Sequence, residues 1–179
     1  MRVEVRGVEL DYERTGIGRD FVWGHGLTSS RADEAVPPVL IDWSPVEQVA
    51  RVLRYDARGH GRSGYTPDPA SYRWLELAND QLALADLVGI ERFAVGGASM
   101  GAATALHTAV LAPERVEAVV LAIPPTAWET RAEQTGIYTQ MAEIVEERGV
   151  ELLISAGAAV PPPDPFVDQP AYAERRAAR

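Results

Sequence analysis

The chain has 179 residues, a formal net charge of −9, 46% hydrophobic residues and no cysteine. That length supports one domain with its own core. The acidic balance argues against nucleic acid as a partner, and the cysteine count excludes disulfides, a thiolate metal site and a cysteine nucleophile. The three histidines, His25, His60 and His107, show no metal-ligand spacing, so no metal or cofactor is expected. All seventeen basic residues are arginine, which we read as compositional bias rather than chemistry. The opening residues run straight into a strand pattern with no secretory signal, and no apolar run is long enough to span a bilayer. These features point to a soluble cytoplasmic protein with no membrane association.

Val3, Val5, Val8, Leu10 and Tyr12 alternate with polar residues around Arg6-Gly7, which predicts an antiparallel hairpin ended by Thr15 to Gly18. Phe21 to Trp23 is a short apolar strand running into Gly24-His25-Gly26-Leu27. Ser44-Pro45-Val46-Glu47 reads as a capping box with proline at the first helical position. A strand within Val49 to Tyr55 ends in a glycine-rich loop, Asp56 to Gly64. From Tyr72 to Val88, Leu75, Ala78, Leu82 and Ala85 recur at helical spacing, and Gly89 terminates the helix.

The next stretch organises the chain. Phe93-Ala94-Val95 reads as a buried strand that Gly96 and Gly97 end, and an alanine-rich helix follows Ser99 up to Pro113. Gly97-Ala98-Ser99-Met100-Gly101 is a G-x-S-x-G pentapeptide, the pattern of a nucleophilic serine on a sharp strand-to-helix turn. The crowded turn needs side chains nearly absent two positions either side of the serine. The N-terminal end of the following helix favours developing negative charge. Taken alone, the pentapeptide would arise by chance in roughly one chain in twenty of this length, so its context decides. Val116 to Ile123 is a near-continuous apolar strand of the kind found within a parallel sheet, stopped by Pro124-Pro125. Strand–helix alternation then ceases. Thr130 and Glu133 are spaced to cap a helix, Ile137, Met141, Ile144 and Val145 give an amphipathic face closed by Gly149, and Val150 to Ala156 suggests a further short helix. Pro161 to Pro165 breaks the chain before a last helical stretch, Ala171 to Arg179. The order predicts a mostly parallel α/β sheet with an N-terminal antiparallel hairpin and helices on both faces. Residues 1–125 are expected to form its core, and residues 126–179 a set of helices beyond it.

Three motifs fall at the carboxyl ends of predicted strands, where open parallel sheets place their active crevice. They are Gly24-His25-Gly26-Leu27, Asp56-x-Arg58-Gly59-His60-Gly61-x-Ser63 and Gly97-x-Ser99-x-Gly101. Together they resemble the α/β-hydrolase superfamily as far as about Ile123, and the wording of the first two loops is nearest the haloperoxidase, enol-lactonase and esterase branch. The resemblance implies that Ser99 is the nucleophile and that the backbone N–H groups of Met100 and Leu27 form the oxyanion hole. Gly24, His25, Gly26, Gly97 and Gly101 are then structural. His25 is read as ordering the oxyanion loop, and Asp56 and His60 as pinning the glycine-rich turn. A serine at the elbow sets aside dehalogenase and epoxide hydrolase chemistry.

The family's remaining triad members are not placed. The only histidine after Ser99 is His107, about 12 Å further along the same helix at 1.5 Å per residue and turned to another face, which leaves it a core or surface role. Glu129, Asp164 and Asp168 are acid candidates in name only. The resemblance therefore implies a sheet that stops after its sixth strand and part of a lid, the N-terminal part of a hydrolase. Trp128, Tyr138 and Met141, with Ile137, are candidates to line an acyl pocket, against ordinary packing. The implied activity is that of a serine hydrolase of a small carboxylic ester or lactone, with perhydrolysis or C–C cleavage open to the same parts. The alternative is an inactive fragment or ligand-binding relative of the same fold. The sixth strand is expected to expose an unprotected edge, which favours a homodimer or aggregation.

Overall fold

The computed structural model describes residues 1–35, 41–125, 128–152 and 155. Strand β1 (Arg2–Val5) turns through Arg6 and Gly7, both at positive φ (47° and 81°), into β2 (Val8–Gly16). Two successive left-handed residues are what a tight two-residue hairpin requires. β2 is long enough to serve two neighbours. Val8 to Asp11 pairs with β1, and Tyr12 to Gly16 pairs antiparallel with β4 (Ala50–Tyr55). β4, β3 (Arg19–Gly24), β5 (Phe93–Ala98) and β6 (Val116–Ala122) are mutually parallel, and the strand order is β1-β2-β4-β3-β5-β6. This is the mixed sheet with an N-terminal hairpin that the sequence predicts.

The period-two alternation of the strands divides the core. Val22, Leu53, Phe93 and Val95 face α3 (Trp74–Leu87) and α4 (Met100–Leu111), packing with Leu77, Leu84, Ala85, Met100 and Ala105. Phe21, Trp23, Val52 and Ala98 face the other way and pack with Trp43 of α2 (Trp43–Glu47). The Trp23 and Trp43 rings meet edge to face at 5.4 Å, and the Arg54 guanidinium lies 4.9 Å above Trp43. The chain divides into two compact units, one holding Met1–Ala35 and continuing to Pro125, the other holding α5 (Trp128–Glu133) and α6 (Thr135–Arg148).

Several local expectations are corrected. The cap of α2 is Asp42, whose carboxylate accepts the Ser44 N–H at 3.0 Å, so the helix starts at Trp43 and Pro45 sits third. Thr130 lies inside α5 rather than ahead of it. β5 does not stop at Gly96 but continues to Ala98, because its glycines answer packing and not a turn. A Cβ on Gly96 would come within 2.8 Å of the Val120 carbonyl oxygen of β6 and 3.0 Å of the Phe21 ring. The buried stripe of α3 is Leu77, Ala78, Asp80, Gln81, Leu84 and Ala85, while Leu75 is 45% exposed. β6 is an outer strand of this sheet, as the sequence predicts, with Val119, Val120 and Leu121 exposed. The helical stretch expected at Ala171 to Arg179, residues 153, 154 and 156 of the one expected at Val150 to Ala156, and the break at Pro161 to Pro165 lie outside the described residues.

Candidate active site

Ser99 stands between the end of β5 and the first residue of α4, at φ 49° and ψ −106°. A non-glycine residue rarely adopts positive φ, and such strain persists only where the surroundings over-determine it. Here they do. The Ser99 N–H donates to the Ala122 carbonyl of β6 at 3.0 Å, its carbonyl accepts from Ala103 N–H at 3.1 Å, and Gly101 N–H donates to the His25 carbonyl at 3.0 Å. Gly97 and Gly101 are required sterically. A Cβ on Gly97 would overlap the Gly101 backbone, and a Cβ on Gly101 would overlap the backbone of Gly24 and His25. Ser99 makes no capping hydrogen bond with its side chain. The Met100 N–H opens α4 and so has no acceptor in the turn behind it.

The segment after β3 runs alongside. A Cβ on Gly26 would point to within 3.9 Å of the Ser99 Cβ. His25 is buried, and both ring nitrogens are engaged. Nε2 accepts the Ala57 N–H at 2.9 Å, which leaves Nδ1 to carry the proton and donate to the Gly26 carbonyl at 2.8 Å. Burial lowers the His25 pKa, with the bond to Gly26 opposing and the nearby His60 assisting. The Gly26 carbonyl also accepts the Ser29 N–H at 3.2 Å, and Thr28 between them is held at φ 59°. Leu27 is half-exposed and Met100 is buried.

Residue Asp56, at the end of β4, ties this segment to the glycine-rich loop. One carboxylate oxygen accepts the Arg31 N–H and the other the Arg62 N–H, each at 2.8 Å. Its own carbonyl accepts the Ser63 hydroxyl at 2.6 Å. His60 places Nδ1 3.0 Å from the Arg58 carbonyl, and its ring lies 5.1 Å from that of His25. His107 is half-buried on α4, and its ring lies 6.3 Å from Trp74 of α3.

Two ionic groups that sequence reasoning missed brace these loops. Arg31 donates to Asp11 and Glu13 of β2, both at 2.6 Å. Burial alone would raise the Asp11 pKa, but the Arg31 hydrogen bond and charge outweigh it and the pKa falls. Behind the glycine-rich loop, buried Arg58 grips buried Asp80 through two bonds of 2.9 Å, and Arg6 of the hairpin turn reaches the same carboxylate at 2.9 Å. The available signal was Asp80 falling between Leu77 and Leu84, on a face where an unpartnered carboxylate is not tolerated. Of the residues expected to line a pocket, Tyr138 and Met141 belong to α6 in the second unit, with the Tyr138 ring 4.9 Å beneath the Arg131 guanidinium. Trp128 and Glu129 lie on α5, where only their backbone is described, and Asp164 and Asp168 fall outside the described residues.

A parallel sheet bearing a strained serine between strand and helix defines a hydrolase-type architecture. The chain belongs to the alpha/beta hydrolase fold family, whose model matches residues 25–141. It is 32% identical over 122 residues to the dihydrolipoyllysine-residue acetyltransferase component of the acetoin cleaving system of Cupriavidus necator, covering 68% of this chain and 31% of that protein. It is 36% identical over 88 residues to 3-oxoadipate enol-lactonase 2 of Acinetobacter baylyi, covering 46% of this chain and 32% of that protein. The solved enol-lactonase of Burkholderia xenovorans superposes with a TM-score of 0.78 at 26% identity, over 99% of this chain and 66% of the other. The chain thus spans less than two thirds of each of these proteins. No helix among the described residues is long and apolar enough to cross a membrane.

Proposed function

We propose that this chain carries the nucleophile and oxyanion hole of a serine hydrolase for small carboxylic esters or lactones. The observation that carries the reading is the Ser99 backbone at φ 49°, strained at the head of α4 beside the Gly26 segment. Ser99 Oγ attacks the carbonyl carbon, and the oxygen that gains the electron pair is held by the Leu27 and Met100 N–H groups. The C–O bond to the alcohol breaks, the alcohol leaves with a proton, and water then releases the acid from Ser99. Enol-lactonases among the relatives support an ester or lactone as the substrate. His25 supports the hole by fixing the Gly26 carbonyl, and with both nitrogens engaged it does not act as the base.

On this reading no histidine of the chain serves as base for Ser99, so the chain by itself should hydrolyse p-nitrophenyl acetate slowly. Triad-deficient serine hydrolases retain about 10³–10⁴-fold over water through the oxyanion hole and binding. The direct test is labelling with a fluorophosphonate, followed by peptide mapping. The label is expected on the peptide containing Ser99 and nowhere else; a label on another residue, or none after prolonged incubation, would sink the assignment. The unplaced base also supports the alternative, a ligand-binding relative that keeps the scaffold, for which no labelling would occur but small esters or acids would still bind.

We further propose that two copies associate through β6. Its outer edge has no strand partner in the described sheet, and its residues from Ala118 to Leu121 are apolar and exposed. Unpaired strand N–H and C=O groups recruit other strands. Sedimentation velocity should show dimers or larger species, reduced by Val120→Lys. A monodisperse monomer with slowly exchanging amides from Val116 to Ala122 would refute the interface.

A further inference from the structure

Besides the turn residue Arg6, three described non-glycine residues adopt positive φ: Thr28 at 59°, Ser99 at 49° and Ile123 at 42°. All three follow the carboxyl ends of adjacent strands, β3, β5 and β6. Thr28 and Ser99 belong to the proposed oxyanion arm and elbow. Ile123 has no such role, yet it is the most anomalous. It is β-branched, for which positive φ is a genuine outlier, and Pro124 after it favours extended backbone. It is also 68% exposed, so its side chain gains little burial in return for the strain. Local strain of this kind clusters at ligand-binding positions.

Its position supplies the reason. Ala122 pairs with Ala98 across the sheet and accepts the Ser99 N–H at 3.0 Å, so Ile123 is one peptide, about 3.8 Å between Cα atoms, beyond the residue bonded to the nucleophile. On the other side of Ser99, Leu27 is 46% exposed and follows Gly26, where an added Cβ would lie 3.9 Å from the Ser99 Cβ. β5 lies between β3 and β6. With neighbouring strands about 4.8 Å apart, the two flanking backbones stand about 10 Å from each other, a gap that takes a chain of a few carbons.

We propose that Ile123 and Leu27 are specificity-determining residues, two apolar walls that grip the group attached to the reacting carbonyl, so that the substrate is an ester or lactone with a short apolar acyl chain. This rests on Ser99 as nucleophile. The acyl group stays on Ser99 through both halves of the reaction, so walls this close act on both.

The test compares labelling of the full chain by methyl- and butyl-fluorophosphonate. In each, Ser99 Oγ bonds to phosphorus, the P–F bond breaks, fluoride leaves, and the serine proton passes to water; the alkyl group stands for the acyl chain. Butyl is expected to react faster than methyl, and Ile123→Asn should reduce that preference roughly 10-fold, the discrimination a few buried methylenes provide. Asparagine tolerates left-handed backbone, so the fold should persist. In parallel, the Ile123 methyl resonances are followed by NMR while acetate or butyrate is added, a readout that needs no reaction. Butyrate should shift them more than acetate. Labelling at Ser99 with no change in preference and no methyl shift overturns the inference alone. Absence of labelling with a butyrate-dependent shift keeps the apolar walls and overturns the nucleophile. Absence of both overturns both.

Discussion

Replacing Ser99 by glycine is expected to abolish fluorophosphonate labelling and ester hydrolysis while making the fold more stable. The serine sits at φ 49° and ψ −106°, a combination natural to glycine at the first corner of a primed turn. Holding a side chain there costs about 1–3 kcal/mol, whereas glycine's extra freedom in the unfolded chain costs about 0.5–1 kcal/mol. The balance favours glycine by about 1 kcal/mol, or about 2–4 °C in Tm for a chain of this size. No capping bond is lost, because the Ser99 side chain makes none. Thermal unfolding by circular dichroism with labelling of the same sample checks both parts. An active glycine variant would remove Ser99 from the chemistry; an inactive but less stable one would mean that its backbone is not strained.

The second large effect belongs to Gly101. A methyl group there would overlap the backbone of Gly24 and approach the His25 carbonyl at 2.9 Å, and backbone cannot swing aside as a side chain does. Helix propensity pulls the other way, because alanine in a helix is favoured over glycine by about 1 kcal/mol. Overpacking a tight site costs about 1–3 kcal/mol and more when backbone must move, so the clash wins. Gly101→Ala should lower the urea midpoint by the equivalent of about 2 kcal/mol or more and slow labelling, since relief must push the His25–Leu27 segment away from Ser99. Gly136→Ala in α6 is the control. Nothing lies within 4 Å of its added methyl, and it should leave stability unchanged or slightly raised. Equal behaviour of the two variants would contradict the contact between α4 and the end of β3.

What was legible in the sequence was what glycine, serine and strand alternation encode locally. Arg6-Gly7 announced a hairpin, Gly89 a helix end, and Gly97-x-Ser99-x-Gly101 a turn whose neighbours must be small. The mixed sheet followed from the order of those elements. What was not legible depended on partners distant in the chain. Asp80 and Gln81 look like solvent positions on α3 until Arg58 bonds the first and Thr108 the second, at 2.7 Å. Those two polar residues shifted the apparent apolar stripe towards Leu75. Gly96 reads as a strand terminator because its reason, the Val120 carbonyl and the Phe21 ring, lies on the neighbouring strands. Ser44 and Asp42 are both good caps, and only the backbone decides between them. The base that a serine hydrolase needs was not legible, because it must come from a loop distant in the chain and no local pattern around His25, His60 or His107 marks one.

The segment from His25 to Arg31 is fastened at both ends. His25 is held by Ala57 and by the hydrogen bond that Gly101 makes to its carbonyl, and Arg31 is held through its backbone to Asp56 and through its side chain to Asp11 and Glu13. Surface loops ordinarily absorb insertions and deletions with little harm. This one cannot, because one added residue would break an anchor or push Leu27 out of line with Ser99. Among the loops at this end of the sheet it should therefore keep its length while its exposed side chains drift. Engineering that seeks new substrates would do better to vary residue type at Leu27 and Thr28 than to lengthen the loop that carries them.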